Sequence, residues 1–283
     1  MRRDNPSQNR IWSLAIVLCM LLAAGCLIFT SVIGNIPKPK VDRSAASTPE
    51  ISEAPAEVSS EPTSTPVPNP IQKSTSPAAL AETPEAGSEY VDGIYFLGDG
   101  ALKSLQDNNL LTGEEKEQQV WCPSDGILDL NNLSSASYLS PVTGNEVPAG
   151  DIVFVNRPKT VILLPSDDNA NLVQENTLKS AINNLVAAIR AEAPETQIIL
   201  SSLTPIAESY EYEDVNIDVI NRVNGWIAEA AMSNDVKYLD AVFELARTDG
   251  FLPDNFHNGD GMHLNAQGMT AWFDYVKTHA YSE

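Results

Sequence analysis

Hydrophobic and polar residues follow two different patterns along this chain, and the first is a long apolar segment near the start. The segment from Trp12 to Ile36 contains 25 residues and no charge. A helix needs roughly 20 apolar residues to cross a bilayer. The apolar core of a cleaved signal peptide is shorter than this segment. The pattern therefore predicts an uncleaved transmembrane anchor.

A lipoprotein signal is the alternative for the same segment, because Ala-Ala-Gly-Cys26 resembles a lipidation box. Ala23 stands where such boxes usually carry leucine. The apolar run also continues through Phe29, where a processed lipoprotein normally becomes polar. Both features favour the uncleaved anchor.

A polar segment separates the anchor from the rest of the chain. From Ser44 to about Ser88 it consists mainly of Pro, Ser, Thr, Ala and Glu. Such a composition cannot bury enough apolar surface to fold. We therefore expect a short cytoplasmic tail at 1–11, an anchor at 12–36, a disordered linker at 37–89 and a folded domain at 90–283. Basic residues flank the anchor on both sides and leave its orientation nearly balanced. The long tether favours a domain outside the cytoplasm, held at the cell membrane.

From Tyr90 onward, short apolar runs alternate with amphipathic stretches. Continuous apolar strands that alternate with helices are typical of a mostly parallel sheet covered on both faces. Because 152–155 and 160–164 are close together, one of them is expected to be an edge or hairpin strand. The strands are predicted at 94–97, 152–155, 160–164, 197–200 and 236–239, and the helices at 175–193, 214–232 and 265–279.

Charge and cysteine content narrow the function classes. The formal net charge is −21, and a field of this sign repels nucleic acid. Of the three cysteines, only Cys122 lies outside the apolar segment, so the domain has no internal disulfide. We therefore expect no nucleic-acid partner and a fold that depends on its apolar core.

Polar residues that follow the predicted strands are the candidates for chemistry, since ligands bind beyond the carboxyl ends of parallel strands. The most informative block runs from Phe256 to Asn265 and places Asp260 three residues before His263. A carboxylate at this spacing can orient an imidazole and stabilise its charged form, as in the base half of a hydrolase triad. The alternative is a helix start capped by Asn265 beside an ordinary surface histidine.

Two more blocks follow strands, Gly98-Asp99-Gly100-Ala101 and Pro165-Ser166-Asp167-Asp168-Asn169. Together with Asp260-Gly-Met-His-Leu-Asn265 they resemble the SGNH/GDSL hydrolases, in particular bacterial surface members that also carry a Gly-Tyr-Leu-Pro segment, here Gly250 to Pro253. The resemblance implies a flavodoxin-like three-layer α/β/α sandwich. It also implies a base pair formed by Asp260 and His263, and it matches Gly126 to the glycine whose N–H binds the oxyanion.

The sequence departs from that family at two positions. The family's serine nucleophile follows Gly-Asp, but here the position is Gly100. The family's oxyanion-binding asparagine corresponds to Asp167, whose negative charge would oppose the oxyanion unless the carboxyl were protonated. Another serine could replace the nucleophile, and the candidates are Ser104, Ser166, Ser201 and Ser202.

The acidic residues of these blocks leave one more possibility open. Asp99, Asp167, Asp168 and Asp260 could converge with His263 and bind a cation such as Ca²⁺ or Mg²⁺. Alternatively, the same side chains cap helices or accept backbone hydrogen bonds. We predict no cofactor and no metal.

The sequence therefore predicts an SGNH-like domain, displayed outside the cell membrane and impaired in catalysis. Its expected role is a glycan-binding or scaffolding module of the cell envelope. The carbohydrate ligand is implied only by the resemblance, because such relatives act on O-acyl groups of surface glycans. One alternative is an active esterase or O-acyltransferase that uses a displaced nucleophile or a water activated by His263. The other is a purely structural partner in an envelope complex.

Overall fold

The computed structural model describes residues 71, 73–210 and 214–281. This part of the chain contains seven strands, β1 Ile94–Gly98, β2 Val120–Trp121, β3 Ser137–Leu139, β4 Glu146–Pro148, β5 Thr160–Leu164, β6 Gln197–Ser201 and β7 Lys237–Leu239. Its α-helices are α1 Ser88–Asp92, α2 Ser104–Asp107, α3 Ala149–Asn156, α4 Glu175–Glu192, α5 Ile217–Ser233, α6 Ala241–Leu245 and α7 Ala266–Thr278. Short 3₁₀ helices occupy Gly100–Lys103 and Lys116–Gln118.

The main sheet has five strands, all parallel, in the order β2-β1-β5-β6-β7. Counted within this sheet the order is 2-1-3-4-5, the doubly wound order of flavodoxin-like folds. A separate antiparallel hairpin pairs β3 with β4. Because all the main strands run the same way, their carboxyl ends meet at one edge of the sheet.

Side chains on each central strand alternate between two apolar cores. In β1, Tyr95 and Leu97 belong to one core, whereas Ile94 and Phe96 belong to the other. The first core is completed by α3, α4 and α5, and the second by α2, α6 and α7. Helices therefore cover both faces of the sheet, which confirms the predicted mostly parallel α/β architecture.

The three long helices form where the apolar stripes predict them. The stripe of α4 is buried along its length, from Leu178 to Ile189. In α7, Trp272 is fully buried and contacts the ring of Phe96 edge-on, with 6.0 Å between ring centroids. Burial of such stripes, rather than intrinsic helix propensity, supplies most of the stability of helices in proteins.

The strand predicted at 152–155 is wrong, because these residues lie in helix α3. Ile152 and Val153 are buried, whereas Phe154 and Val155 are exposed. Pro148 precedes the first turn and Arg157 ends the helix in a left-handed conformation. A run of four apolar residues cannot distinguish a strand from one buried turn of helix.

The folded domain begins earlier than predicted, because residues 73–89 were assigned to the linker. We call residues 73–89 the N-terminal strap. The N–H of Tyr238 in β7 donates to the carbonyl of Ala78 at 2.8 Å, and the N–H of Leu80 donates to the carbonyl of Tyr238 at 2.9 Å. The strap therefore adds one parallel bridge at the β7 edge. Its composition is polar, but Leu80 is buried in the core.

The predicted tail at 1–11, the anchor at 12–36 and the linker up to residue 70 lie outside the described residues. Within the described ranges, no helix has both the length and the apolar character that crossing a membrane requires.

Candidate functional site

A cleft of about 460 Å³ lies at the carboxyl ends of β1 and β5, where the three sequence blocks meet. Gly100 and Asp168 follow these two strands, and His263 comes from the loop before α7. The cleft is lined by Asp99, Gly100, Ala101, Ser104, Asp125, Gly126, Ile127, Asp168, Asn258, His263 and Leu264.

Asp260 orients His263 through a local hydrogen-bonded turn. The Nδ1–H of His263 donates to Oδ2 of Asp260 at 2.7 Å. The other carboxylate oxygen, Oδ1, accepts the backbone N–H groups of Met262 at 2.9 Å and His263 at 3.0 Å. Partial burial acts to raise the pKa of Asp260, but these hydrogen bonds prevail and lower it. Asn265 also caps α7 by accepting the backbone N–H groups of Gln267 and Gly268, so only the cap of the alternative interpretation is present.

The second ring nitrogen of His263 faces a carboxylate instead of a hydroxyl. Its Nε2 lies 3.4 and 3.5 Å from the two carboxylate oxygens of Asp168. Hydrogen bonding to Asp168, and then to Asp260, raises the pKa of His263 to about 10, although burial opposes the shift. The ring is therefore an imidazolium held between two carboxylates at neutral pH.

The nucleophile position is closed by the backbone of a neighbouring loop. The N–H of Gly100 donates to the carbonyl of Gly126 at 2.7 Å. A Cβ atom on Gly100 would lie 3.3 Å from both Cα and the carbonyl oxygen of Gly126, so a side chain fits only if this loop shifts slightly. Gly126 has a φ of +82°, a conformation that favours glycine. Its own N–H, the expected oxyanion donor, is directed to the carbonyl of Pro123 at 3.0 Å.

Asp167 is buried and turned toward the end of the next strand. One carboxylate oxygen accepts from the hydroxyl of Thr204 at 2.5 Å, and the other accepts the N–H of Thr204 at 3.3 Å. Burial raises the pKa of Asp167 to about 7, and the nearby Asp99 adds to the rise against the effect of the Thr204 hydrogen bonds. Asp167 is therefore an acceptor for Thr204 where the family places a donor for the oxyanion.

Both carboxylate oxygens of Asp99 accept hydrogen bonds from neighbouring residues. Its carboxylate accepts the N–H of Ala101 at 2.7 Å and the hydroxyl of Ser166. Ser166 is thus held by Asp99 and, in turn, accepts the N–H of Leu128 at 3.1 Å. These contacts fix the start of the first 3₁₀ helix and join it to the β5 loop.

The other candidate serines divide into two groups. Ser201 and Ser202 are fully buried, and Ser202 accepts the backbone N–H of Val242 at 2.8 Å. Ser201 accepts the indole N–H of Trp272 at 3.2 Å. Both hydroxyl oxygens therefore accept hydrogen bonds within the core, as expected for residues at a strand end. Ser104, in contrast, lines the same cleft as His263.

The acidic residues do not all converge. Asp260 lies on the Nδ1 side of His263, and Asp167 is paired with Thr204. Asp99, Asp168 and His263 do offer ligand atoms within 4.8 Å of one another. A protonated imidazole has no lone pair for a metal, so the ion pair and a cation compete for the same groups.

Sequence reasoning assigned no role to three polar residues of this region, Thr204, His257 and Asn258. Thr204 follows β6 and holds Asp167, and Asn258 lines the cleft. The rule that polar residues after parallel strands gather at one sheet edge applies to Thr204 too and could have identified it. His257 belongs to the same loop as His263 and is described below.

Comparison with solved structures gives distant likenesses only. A Streptococcus pneumonia protein that carries the name platelet activating factor is 18% identical, with a TM-score of 0.44 over 67% of this chain and 84% of that one. A GDSL-like lipase from Bacteroides thetaiotaomicron is 15% identical, with a TM-score of 0.43 over 66% and 84% of the two chains. A carbohydrate esterase family 3 protein from Talaromyces cellulolyticus is 14% identical, with a TM-score of 0.41 over 65% and 93%. No curated protein matched the sequence.

The family comparison is more specific. Residues 151–271 match the model of the GDSL-like Lipase/Acylhydrolase family. The matched segment runs from the start of α3 through β5, β6 and β7 into α7, and it includes the Asp260–His263 loop. The predicted resemblance to the SGNH/GDSL hydrolases is thereby supported over residues 151–271.

Proposed function

We propose that this domain is a non-catalytic member of its family that binds carbohydrate of the cell envelope. The observation that carries the proposal is the environment of Nε2 of His263. In a serine hydrolase this nitrogen takes the proton of the nucleophile. Here it faces the carboxylate of Asp168, and position 100 supplies no oxygen.

Each chemical requirement of the family reaction is opposed by a specific contact. A base with a pKa of about 10 keeps its proton at neutral pH. The N–H groups of Gly100 and Gly126 are engaged with carbonyl oxygens, and Asp167 is an acceptor. Loss of a single oxyanion donor costs about 3 kcal/mol of transition-state stabilisation. Several such losses, together with the missing nucleophile, support a role other than hydrolysis.

The cleft nevertheless retains groups suited to a polyhydroxylated ligand. Asn258 offers an amide, and Asp125 and Asp168 offer carboxylate oxygens that line the same cleft. Sugar hydroxyls can donate to such carboxylates and accept from the amide. Display outside the cell membrane through an anchor at 12–36 would place this cleft beside surface glycans.

The catalytic part of the proposal is tested with a fragment that starts at Thr63 and so retains the N-terminal strap. We expect hydrolysis of p-nitrophenyl acetate to proceed at the same rate with wild type and His263→Ala. Turnover that His263→Ala abolishes would overturn the non-catalytic assignment. If Ser104→Ala abolishes turnover as well, Ser104, which lines the cleft, is a displaced nucleophile. That result would favour the active esterase.

A restored variant shows that the assay can detect activity. Gly100→Ser combined with Asp167→Asn supplies a nucleophile and an oxyanion donor that act in the same step, so the double variant should exceed the product of the single effects. Gly100→Ala with Asp167→Asn is the matched control, since it adds the same Cβ without an oxygen. Equal rates for the two double variants would show that the Gly126 loop or the retained Asp168–His263 ion pair still prevents the reaction.

Glycan binding is tested separately by sedimentation with insoluble peptidoglycan, in acetylated and de-acetylated forms. We expect wild type to sediment with at least one form. Asn258→Ala, which removes an amide of the cleft, should reduce the bound fraction. Binding that survives this substitution unchanged would place the carbohydrate elsewhere, and no binding would favour a purely structural role.

A further inference from the structure

His257 occupies the centre of the loop that carries Asp260 and His263. Its side chain is only 8% exposed, although the loop around it is largely open to solvent. The loop is a small antiparallel turn, closed by a bridge between His257 and Leu264. The ring of His257 is therefore largely removed from solvent within an otherwise open turn.

The ring accepts two backbone hydrogen bonds through a single nitrogen. The N–H groups of Gly259 and Gly261 both donate to Nδ1 of His257, each at 3.0 Å. An acceptor nitrogen carries no proton, so the neutral ring has its proton on Nε2. Within the described residues Nε2 has no hydrogen-bond partner, and the nearest acidic oxygen is Oδ1 of Asp254 at 4.0 Å.

These two hydrogen bonds hold the residues on either side of Asp260. Gly259 and Gly261 have φ angles of +98° and +81°, so the chain turns sharply at both positions. Glycine can adopt these φ angles, but it can equally adopt others. The two hydrogen bonds to Nδ1 of His257 select this conformation, because they hold both glycine N–H groups at one acceptor atom.

The backbone of His257 is tied to the same unit. Its carbonyl accepts the side-chain amide of Asn265 at 2.9 Å, and the N–H of Asn258 donates to the carbonyl of His263 at 3.1 Å. Asn265 is the N-cap of α7. The loop is therefore fixed to the helix at one end and to the His257 ring in its middle.

We propose that His257 is a positioning residue that holds the Asp260 carboxylate against Nδ1 of His263. His257 is not among the residues that line the cleft, and it acts through the two glycine N–H groups. The inference concerns the geometry of the base pair and does not depend on whether the domain is catalytic.

The chain has three histidines, so NMR with histidine-selective ¹⁵N labelling can follow each ring separately. We expect the spectrum of His257 to show Nδ1 as the acceptor nitrogen and the ring proton on Nε2. His257→Phe removes the acceptor and should lower the His263 titration midpoint by about one pH unit, a tenfold change in proton affinity. His257→Asn places an amide oxygen near the former Nδ1 position and should leave that midpoint unchanged.

His279 is the internal control, because it is buried against Tyr275 with 3.7 Å between ring centroids. An unchanged His279 signal in both variants shows that the rest of the domain is folded. If His257→Phe unfolds the domain, the tautomer of wild-type His257 and the His257→Asn midpoint decide the question. Two results would overturn the proposal. One is a His257 ring protonated at Nδ1, and the other is a His263 titration midpoint that falls as much in His257→Asn as in His257→Phe.

Discussion

At the scale of single residues, His263 has a carboxylate on each ring nitrogen. Asp260 at Nδ1 is the orienting partner that a hydrolase requires, whereas Asp168 at Nε2 stabilises the protonated ring. A serine there would exchange a proton with the ring, whereas the negative charge of the Asp168 carboxylate favours the protonated imidazole. Under the proposed non-catalytic function, Asp168 therefore holds His263 in an ion pair in place of proton transfer.

The raised pKa of Asp167 predicts how the unfolding free energy of the domain depends on pH. Burial raises its pKa from 3.8 to about 7, so the folded domain holds a proton that the unfolded chain releases above about pH 4. The stabilisation from this proton is complete below the unfolded pKa and is lost as pH rises through about 7. Asp167→Asn should therefore flatten the fall in unfolding free energy between pH 4 and 7, as measured by urea denaturation.

The comparison is between slopes, because the substitution can also change the absolute stability through Thr204. Glu114→Gln, at an exposed position, is the control and should keep the wild-type slope. Parallel pH profiles for wild type and Asp167→Asn would show that Asp167 is ionised in the folded domain near pH 5.

The site was predictable from sequence as far as its contacts are local. Asp260 and His263 are three residues apart on one turn, so their pairing follows from their spacing. The orientation of Asp167 depends on Thr204, which lies 37 residues further along the chain. The closure of position 100 likewise depends on a loop that only the fold brings to Gly100. Neither contact leaves a periodic or compositional signal.

At the scale of elements, the same distinction explains which segments were predicted. The apolar stripe of α4 repeats over 18 residues and therefore specifies a helix. Helix α3 has only eight residues, which are too few to show a helical repeat. The N-terminal strap has a composition typical of disorder but contributes Leu80 to the core and backbone bonds to β7. A few long-range contacts decide its structure.

The strap should therefore be part of the folding unit. We expect a fragment that begins at Ser88 to unfold at lower urea concentration than one that begins at Ile71. The shorter fragment loses the hydrogen bonds to Tyr238 and the bond from Ser74 N–H to Asp240 at 2.6 Å. It also exposes the β7 edge and should self-associate more readily.

A point substitution tests the strap without truncation. Leu80→Ala removes a buried side chain and should cost about 2–5 kcal/mol of unfolding free energy. Glu82→Ala, at an exposed position of the same segment, should cost far less. Equal urea midpoints for the Ser88 and Ile71 fragments would show that the strap does not stabilise the domain and belongs to the linker.

At the scale of the whole molecule, charge and segment order support one arrangement. The net charge of −21 favours solubility and repels anionic lipid headgroups, so the domain is not expected to lie on a membrane surface. If the proposed membrane anchor holds, a polar tether between the apolar segment and such a domain would keep the cleft at a distance from the bilayer. The strap shortens that tether, since its residues belong to the fold.

This arrangement gives the last prediction, which concerns protease access. With intact cells that lack an outer barrier, added protease should release a fragment that begins between residues 44 and 70. Cleavage within 73–89 should be much slower, because backbone groups there are bonded to β7 and to α7, as between Thr83 and Thr278 at 2.7 Å. N-terminal sequencing of the released fragment measures both points. Leu80→Ala is the matched variant and should move the first cut into the strap. Cleavage that occurs only after lysis would reverse the proposed orientation, whereas equal cutting throughout 44–88 in wild type would show that the strap is open in the native protein.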